Sequence, residues 1–215
     1  MQTESIVKYD CEQQLKLKGP PIIIVAAVRE AEAVANACAE RNIKVSGICD
    51  SEKRKSEKPF SGLKVYHTPD LPKNFPQARF IIASQHVQEC ADQLIDLGYN
   101  EFYSPLELLK DYDVNKYKHR ISSTFMRSRL DVSRKSHEYY FDDSKTYMRS
   151  LDVMITTKCS LKCANCCNLM QYYKDAKNTS LEKINSALDV LHKNVDYISE
   201  FRVIGGEPLM NKDWA

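Results

Sequence analysis

Over the first half of the chain, unbroken apolar runs alternate with stretches whose apolar residues recur at every third or fourth position, predicting strands and helices in turn. Ile22 to Val28 contains no polar residue, the pattern of a strand buried on both faces of a parallel sheet. Arg29 to Arg41 carries Ala33, Val34, Ala37 and Cys38 on one helical face. Ile43 to Cys49 predicts a second strand ending at Asp50, and Ser51 to Lys58 a polar loop. Leu63 to Tyr66 predicts a short strand, and Phe80 to Ala83 another buried one. A helix from His86 to Leu97 and a strand from Glu101 to Tyr103 complete the series. Strand–helix–strand order with short connections implies an α/β domain over residues 20–110, built on a parallel sheet with right-handed crossovers.

Residues 1–19 read as a polar extension, and residues 111–150 as a helical connector. Tyr112 to Ser150 holds nine Lys or Arg against five Asp or Glu, with Tyr117, Tyr139, Tyr140 and Tyr147 interleaved. A basic, aromatic stretch can bind nucleic acid or anionic glycans. The small charge excess favours a connector with solvated charges. The strand pattern restarts at Leu151, where Leu151 to Thr156 alternates and is β-rich. Thr179-Ser180-Leu181-Glu182 reads as a capping box with Thr179 as N-cap. The helix that it opens carries Leu181, Ile184, Leu188 and Leu191 on one face, and Phe201 to Ile204 is the next strand. Residues 151–215 thus read as the first βαβ of a barrel of the TIM type, whose chemistry sits at the C-terminal ends of its strands.

Composition narrows the class. With 43% hydrophobic and 28% charged residues, neither a disordered nor a membrane-embedded chain is indicated. A net charge of +2 argues against nucleic acid as the main partner. The segment before Gly19 lacks the apolar core of a secretory signal, and the run from Pro20 to Val28 is too short to span a bilayer. A cytoplasmic location without a membrane partner is expected. Eight cysteines in that setting point to thiols or metal ligands rather than disulfides. Cys38, Cys49 and Cys90 sit among periodic apolar residues and read as small buried hydrophobes, whereas Cys11 gains no assignment.

The first turn of the α/β domain lacks a dinucleotide fingerprint. Ala26-Ala27-Val28-Arg29-Glu30-Ala31 has no glycine where phosphates would approach the backbone. Asp50 does stand where a ribose hydroxyl would be met. The domain is similar to the Rossmann-like domains at the N-terminus of bacterial sugar-modifying enzymes, with a degenerate phosphate loop. Scaffolding or docking is the favoured role, with nucleotide or sugar-nucleotide binding as the alternative.

Four cysteines cluster between Cys159 and Cys167, and three of them, Cys159, Cys163 and Cys166, have the spacing C-x3-C-x2-C. Three thiolates on one tight loop suit an iron–sulfur cube in which one iron is left open to another ligand. Further along stands Gly205-Gly206-Glu207-Pro208, a small-residue turn beside a carboxylate, suited to an ammonium group near the backbone. With both motifs at predicted strand ends, the chain resembles the radical S-adenosylmethionine superfamily.

That resemblance implies a [4Fe–4S] cluster on Cys159, Cys163 and Cys166, and S-adenosylmethionine held with its ammonium at Gly205, Gly206, Glu207 and Pro208. It implies reductive cleavage of the sulfonium to start radical chemistry, fed by a one-electron reductant such as flavodoxin or ferredoxin. No catalytic side chain is assigned. Cys167 reads as a bystander, and Asn165 stands where the superfamily usually places an aromatic residue against adenine. The substrate class suggested by the N-terminal domain is a sugar or cell-envelope precursor. Since such barrels have more strands than residues 151–215 supply, an N-terminal fragment or truncated form, inactive alone, is expected. The competing reading is a non-catalytic Rossmann-like binding module with a structural zinc or thiol site, for which Cys167 or His192 would complete the ligands.

Overall fold

A computed structural model describes residues 7–9, 11–142 and 144–214, and the chain divides after Asp142 into two compact units. The first holds six strands: β1 (Val7–Lys8), β2 (Ile22–Val25), β3 (Val45–Asp50), β4 (Val65–His67), β5 (Arg79–Ile82) and β6 (Phe102–Tyr103). Its helices are α1 (Glu12–Lys16), α2 (Arg29–Glu40), α3 (Leu71–Asn74), α4 (Val87–Ile95), α5 (Leu106–Leu109) and α6 (Ser123–Tyr140). The strands form one sheet in the order β1-β6-β5-β2-β3-β4, every neighbouring pair parallel. Chain order runs outward from β2 to β4 and then returns to the other side of β2, the doubly wound arrangement of Rossmann-like folds.

Burial on both faces explains the continuous apolar runs. Ile22 and Ile24 point to the face packed with Ala31, Val34, Ala37 and Cys38 of α2, while Ile23 and Val25 join Val87, Ala91 and Leu94 of α4. Each Ile, Val or Leu among them contributes about 1.5–3 kcal/mol by leaving water. The strand predicted to Val28 ends three residues earlier, at Val25, because Ala26 takes a left-handed φ of 74° and turns the chain into α2. The strand predicted from Ile43 starts at Val45, since Ile43 is used to end α2. Asn42 has φ 58°, and the Asn42 and Ile43 N–H groups donate to the Ala39 and Cys38 carbonyls at 3.1 and 2.9 Å, a Schellman closure.

The described part of residues 1–19 is more than an extension, because β1 edges the sheet and Cys11 and Leu15 are buried in the core. One carboxylate oxygen of Glu107 accepts from the N–H groups of Cys11 and Glu12 at 2.8 and 2.7 Å, fixing the start of α1. Cys38 and Cys49 are also buried, and burial pushes both thiols up to about 12; half-buried Cys90 rises to about 11.

Asp50 directs its carboxylate to donors within the protein. It accepts from the Ala27 N–H at 2.8 Å, the Glu52 N–H at 2.9 Å and Lys55 Nζ at 3.0 Å. With no glycine in the turn, this side chain satisfies a backbone donor that a phosphate loop would offer to its ligand.

The predicted connector supplies α6, which belongs to the first unit, while its last residues belong to a strand of the second. Ser122 caps α6 by accepting from the Phe125 N–H. His137 is fully buried, with Nε2 3.1 Å from the Ser84 carbonyl beyond β5 and Nδ1 3.0 Å from Ser104 Oγ beyond β6. Since a carbonyl only accepts, Nε2 carries the proton and Nδ1 receives the Ser104 hydroxyl. Near the other end of α6, Arg129 Nη2 lies 2.8 Å from Glu30 in the first turn of α2. The helix therefore crosses the carboxyl ends of the strands, over the crevice where open α/β sheets usually bind nucleotides. Among the described residues no helix is long and apolar enough to cross a membrane.

Burial holds the His137 imidazole down at about 4, so it is neutral in the folded protein at neutral pH. An unfolded histidine titrates near 6.5, so between about 6.5 and 4 the unfolded chain takes up a proton that the folded chain refuses, and stability falls with pH. Denaturant unfolding at pH 7 and pH 5 should show the first unit losing about 2 kcal/mol more in the parent protein than in His137→Gln, which lacks the titrating group.

Candidate functional site

The second unit is a βαβ: β7 (Tyr147–Thr156), a long loop carrying the clustered cysteines, α7 (Leu181–Asn194) and β8 (Tyr197–Gly205) parallel to β7. Both strands start four residues earlier than predicted, at Tyr147 and Tyr197. There the two tyrosines stack at 5.9 Å and Asp196 exchanges bonds with Thr146. Polar and charged neighbours such as Arg149 and Ser150 hide this extension from a hydrophobic pattern. Asp152 and Arg202, opposite one another, form a bidentate pair at 2.6 and 3.1 Å that sets register but, being exposed, adds little stability.

The N-cap of α7 is Ser180, one residue past the prediction; its hydroxyl accepts from the Lys183 N–H. Thr179 is drawn back to β7, where its hydroxyl donates to the Met154 carbonyl at 3.1 Å and its N–H to Ile155 at 2.9 Å. On the face predicted to be apolar, Ile184 is buried, Leu188 and Leu191 are half-buried and Leu181 is exposed.

The two sequence motifs meet at the C-terminal ends of β7 and β8. The Gly206 N–H donates to the Thr156 carbonyl at 3.0 Å, and the Glu207 N–H donates to the Lys158 carbonyl at 2.8 Å. A Cβ on Gly205 would stand 2.5 Å from the Thr156 carbonyl oxygen. One on Gly206 would collide with the Lys158 carbonyl and lie 2.8 Å from Cys159 Cβ. Both glycines are thus required by the close approach of two backbones, a reason the sequence alone does not show. Pro208 opens a single helical turn, and the Glu207 carboxylate caps it by accepting from the Leu209 N–H at 3.3 Å.

Three further residues secure this junction without having stood out in the sequence. Asn168, two positions past Cys166, donates to the Gly205 carbonyl at 3.0 Å. Thr156 is wholly buried; its hydroxyl accepts from the Lys158 N–H at 3.0 Å and lies 2.8 Å from Asn178 Oδ1. Asn211, also buried, donates to the Ile155 carbonyl at 2.8 Å. Their only signal is position beside the motifs, since short polar side chains commonly bridge loop backbones.

The four clustered thiols are unpaired, with Cys159 and Cys166 half-buried and Cys163 and Cys167 exposed. Leu169 adopts a left-handed φ of 53°, folding the loop back after Cys166. The Met170 N–H foremost, with lesser help from those of Asn168 and Leu169, holds the Cys166 thiol below the usual cysteine range against the opposing effect of burial. Cys159 Sγ accepts from the Leu161 N–H at 3.4 Å. Asn165 is exposed. Among the described residues no three His, Cys, Asp or Glu side chains are grouped for a metal ion. Neither the cluster set of Cys159, Cys163 and Cys166 nor a zinc set using Cys167 or His192 therefore stands assembled. The fit to an iron–sulfur cluster is one of donor chemistry, three thiols on one loop beside a backbone cradle that admits no Cβ.

Gly206→Ala should force β8 away from Lys158 and lower the stability of the second unit by roughly 1–3 kcal/mol, whereas Asn165→Ala at an exposed position should stay within about 0.5 kcal/mol. Hydrogen exchange of the β7 and β8 amides measures both. No protein-family model, curated protein or solved structure matches the chain.

Proposed function

We propose that residues 143–215 carry the cluster-binding and cofactor-binding motifs of a radical S-adenosylmethionine enzyme. The observation that carries this reading is the bonding of Gly206 and Glu207, with Gly205 packed beside them, to the segment Thr156–Lys158 that leads into Cys159. Two motifs separated in sequence thereby share one end of a parallel strand pair, where βα-barrel enzymes keep their chemistry.

Cys159, Cys163 and Cys166 would hold a [4Fe–4S] cluster, which when bound supplies the electron for reductive cleavage of the S-adenosylmethionine sulfonium. N–H groups directed at Cys166 favour its thiolate, the ligating form, before any metal arrives. Without side chains, Gly205 and Gly206 lie directly against Thr156 and Lys158, which keeps the Gly205–Glu207 turn beside the cysteine loop, where it would meet the ammonium group. Glu207 uses one carboxylate oxygen on the Leu209 N–H, which fixes the orientation in which it offers negative charge to that cation. Asn168 restrains the loop against β8 and so limits how far Cys166 can drift from the glycines. A flavodoxin- or ferredoxin-like reductant and a sugar or cell-envelope substrate rest on the resemblance alone.

Anaerobic reconstitution with iron and sulfide tests the reading. A brown protein with broad thiolate-to-iron absorption is expected, lost in Cys159→Ala, Cys163→Ala and Cys166→Ala and kept in Cys167→Ala. Colourless protein holding zinc that is released by Cys167→Ala would contradict it.

A further inference from the structure

We propose that the first unit binds a small phosphate ester in a cation-lined cleft at the carboxyl ends of β2 and β3. The cleft encloses about 410 Å³, the size range of small-ligand sites. Five cations line it, drawn from four separate parts of the chain. Arg29 opens α2, Lys55 and Lys58 lie between β3 and β4, Arg120 precedes α6 and Arg129 lies on it. Convergence of this kind is not the solvated face of a single helix.

The charges do not balance internally. Lys55 pairs with Asp50 at 3.0 Å and with Glu52 at 3.7 Å. Arg129 approaches Glu30 at 2.8 Å, but that oxygen accepts no aligned hydrogen bond and the Arg129 Nε is buried without a partner. Arg29, Lys58 and Arg120 form no ion pair with any described residue. Three positive charges therefore converge on one cavity without a counter-charge, an arrangement that repels itself unless an anion is present. Two of the three are guanidinium groups, whose planar fork matches phosphate oxygens bidentately. The cleft also reaches Val28 and Arg29 at the start of the twelve-residue α2, where backbone N–H groups lack intrahelical partners and favour an anion.

The same geometry disfavours the dinucleotide mode. The Ala27 N–H, which a phosphate loop would offer to its ligand, is taken by Asp50, and the Asp50 carboxylate already accepts from Ala27, Glu52 and Lys55. His137 of α6 occupies the space beyond β5 and β6. What remains is a phosphate position walled on one side by Phe60, over whose ring the Arg120 guanidinium sits at 4.9 Å. An anionic head with a compact body against that ring is the ligand class the cleft fits.

Isothermal titration of the full chain at fixed ionic strength, with glucose 6-phosphate, glucose, inorganic phosphate and NAD as probes, tests this. Glucose 6-phosphate should bind and glucose should not. Affinity should fall about ten-fold or more in Arg120→Gln and in Lys58→Gln, recover in part in Arg120→Lys, and stay unchanged in Lys18→Gln outside the cleft. Lys58 and Arg120 are exposed and unpaired, so circular dichroism should show both variants folded. Parent-like affinity in the Arg120→Gln and Lys58→Gln variants overturns the site, as does failure of every phosphate probe. Inorganic phosphate binding as tightly as the ester removes the ester from the proposal. NAD binding abolished by Asp50→Asn replaces the proposal with the dinucleotide mode.

Discussion

The candidate site depends on one contact between two stretches of backbone. At the ends of β7 and β8, Gly205 and Gly206 lie so close to Thr156, Lys158 and Cys159 that a methyl group on either glycine has no room. The two ladder-like bonds there, Gly206 to Thr156 and Glu207 to Lys158, continue the parallel pairing past the last regular residues of the strands. A loop of more than twenty residues would otherwise wander at considerable entropic cost. Instead both of its ends are tied: Thr157 and Lys177 bond one another, Thr179 returns to Ile155, and Asn168 bridges to Gly205. The cysteines are carried on a loop anchored at its base and held to β8 through Asn168.

The first unit solves a different problem. A doubly wound sheet leaves an open crevice at its carboxyl edge, with strand-end carbonyls and helix N–H groups that need partners. Here the crevice is closed from within, by Asp50 on the Ala27 N–H and by His137 on the loops after β5 and β6. Neutral histidine serves because it donates to a carbonyl and accepts from a hydroxyl at once, and burial keeps it neutral. The unfilled remainder is the cleft between α2, the β3–β4 connection and the start of α6, where positive charge collects.

Much of this was legible in the sequence, for physical reasons that also explain the rest. Strand β2 is apolar throughout, and β3 and β5 are apolar over Ile48–Cys49 and Phe80–Ile82, because both faces are covered there, so they read directly. Strand starts at Tyr147 and Tyr197 did not, since exposed strand ends are held by aromatic stacking and side-chain bonds rather than burial. Helix α6 was readable as a helix, but its one buried histidine is indistinguishable in composition from the charged residues around it. Asp50 stood at a position with a familiar role, and only the neighbouring N–H shows that its carboxylate is occupied. The capping pair differed by one residue because Thr179 had a better partner on β7 than the helix could offer. The cysteine spacing and the glycine pair were plain in sequence, whereas their mutual contact, and the parts played by Thr156, Asn168 and Asn211, belong to tertiary structure.

Electron paramagnetic resonance of the anaerobically reconstituted and reduced chain, with and without S-adenosylmethionine, tests the central claim most directly. The account predicts a reduced-cluster signal whose shape changes when S-adenosylmethionine is added. A silent sample, or a cluster signal indifferent to S-adenosylmethionine, would contradict it.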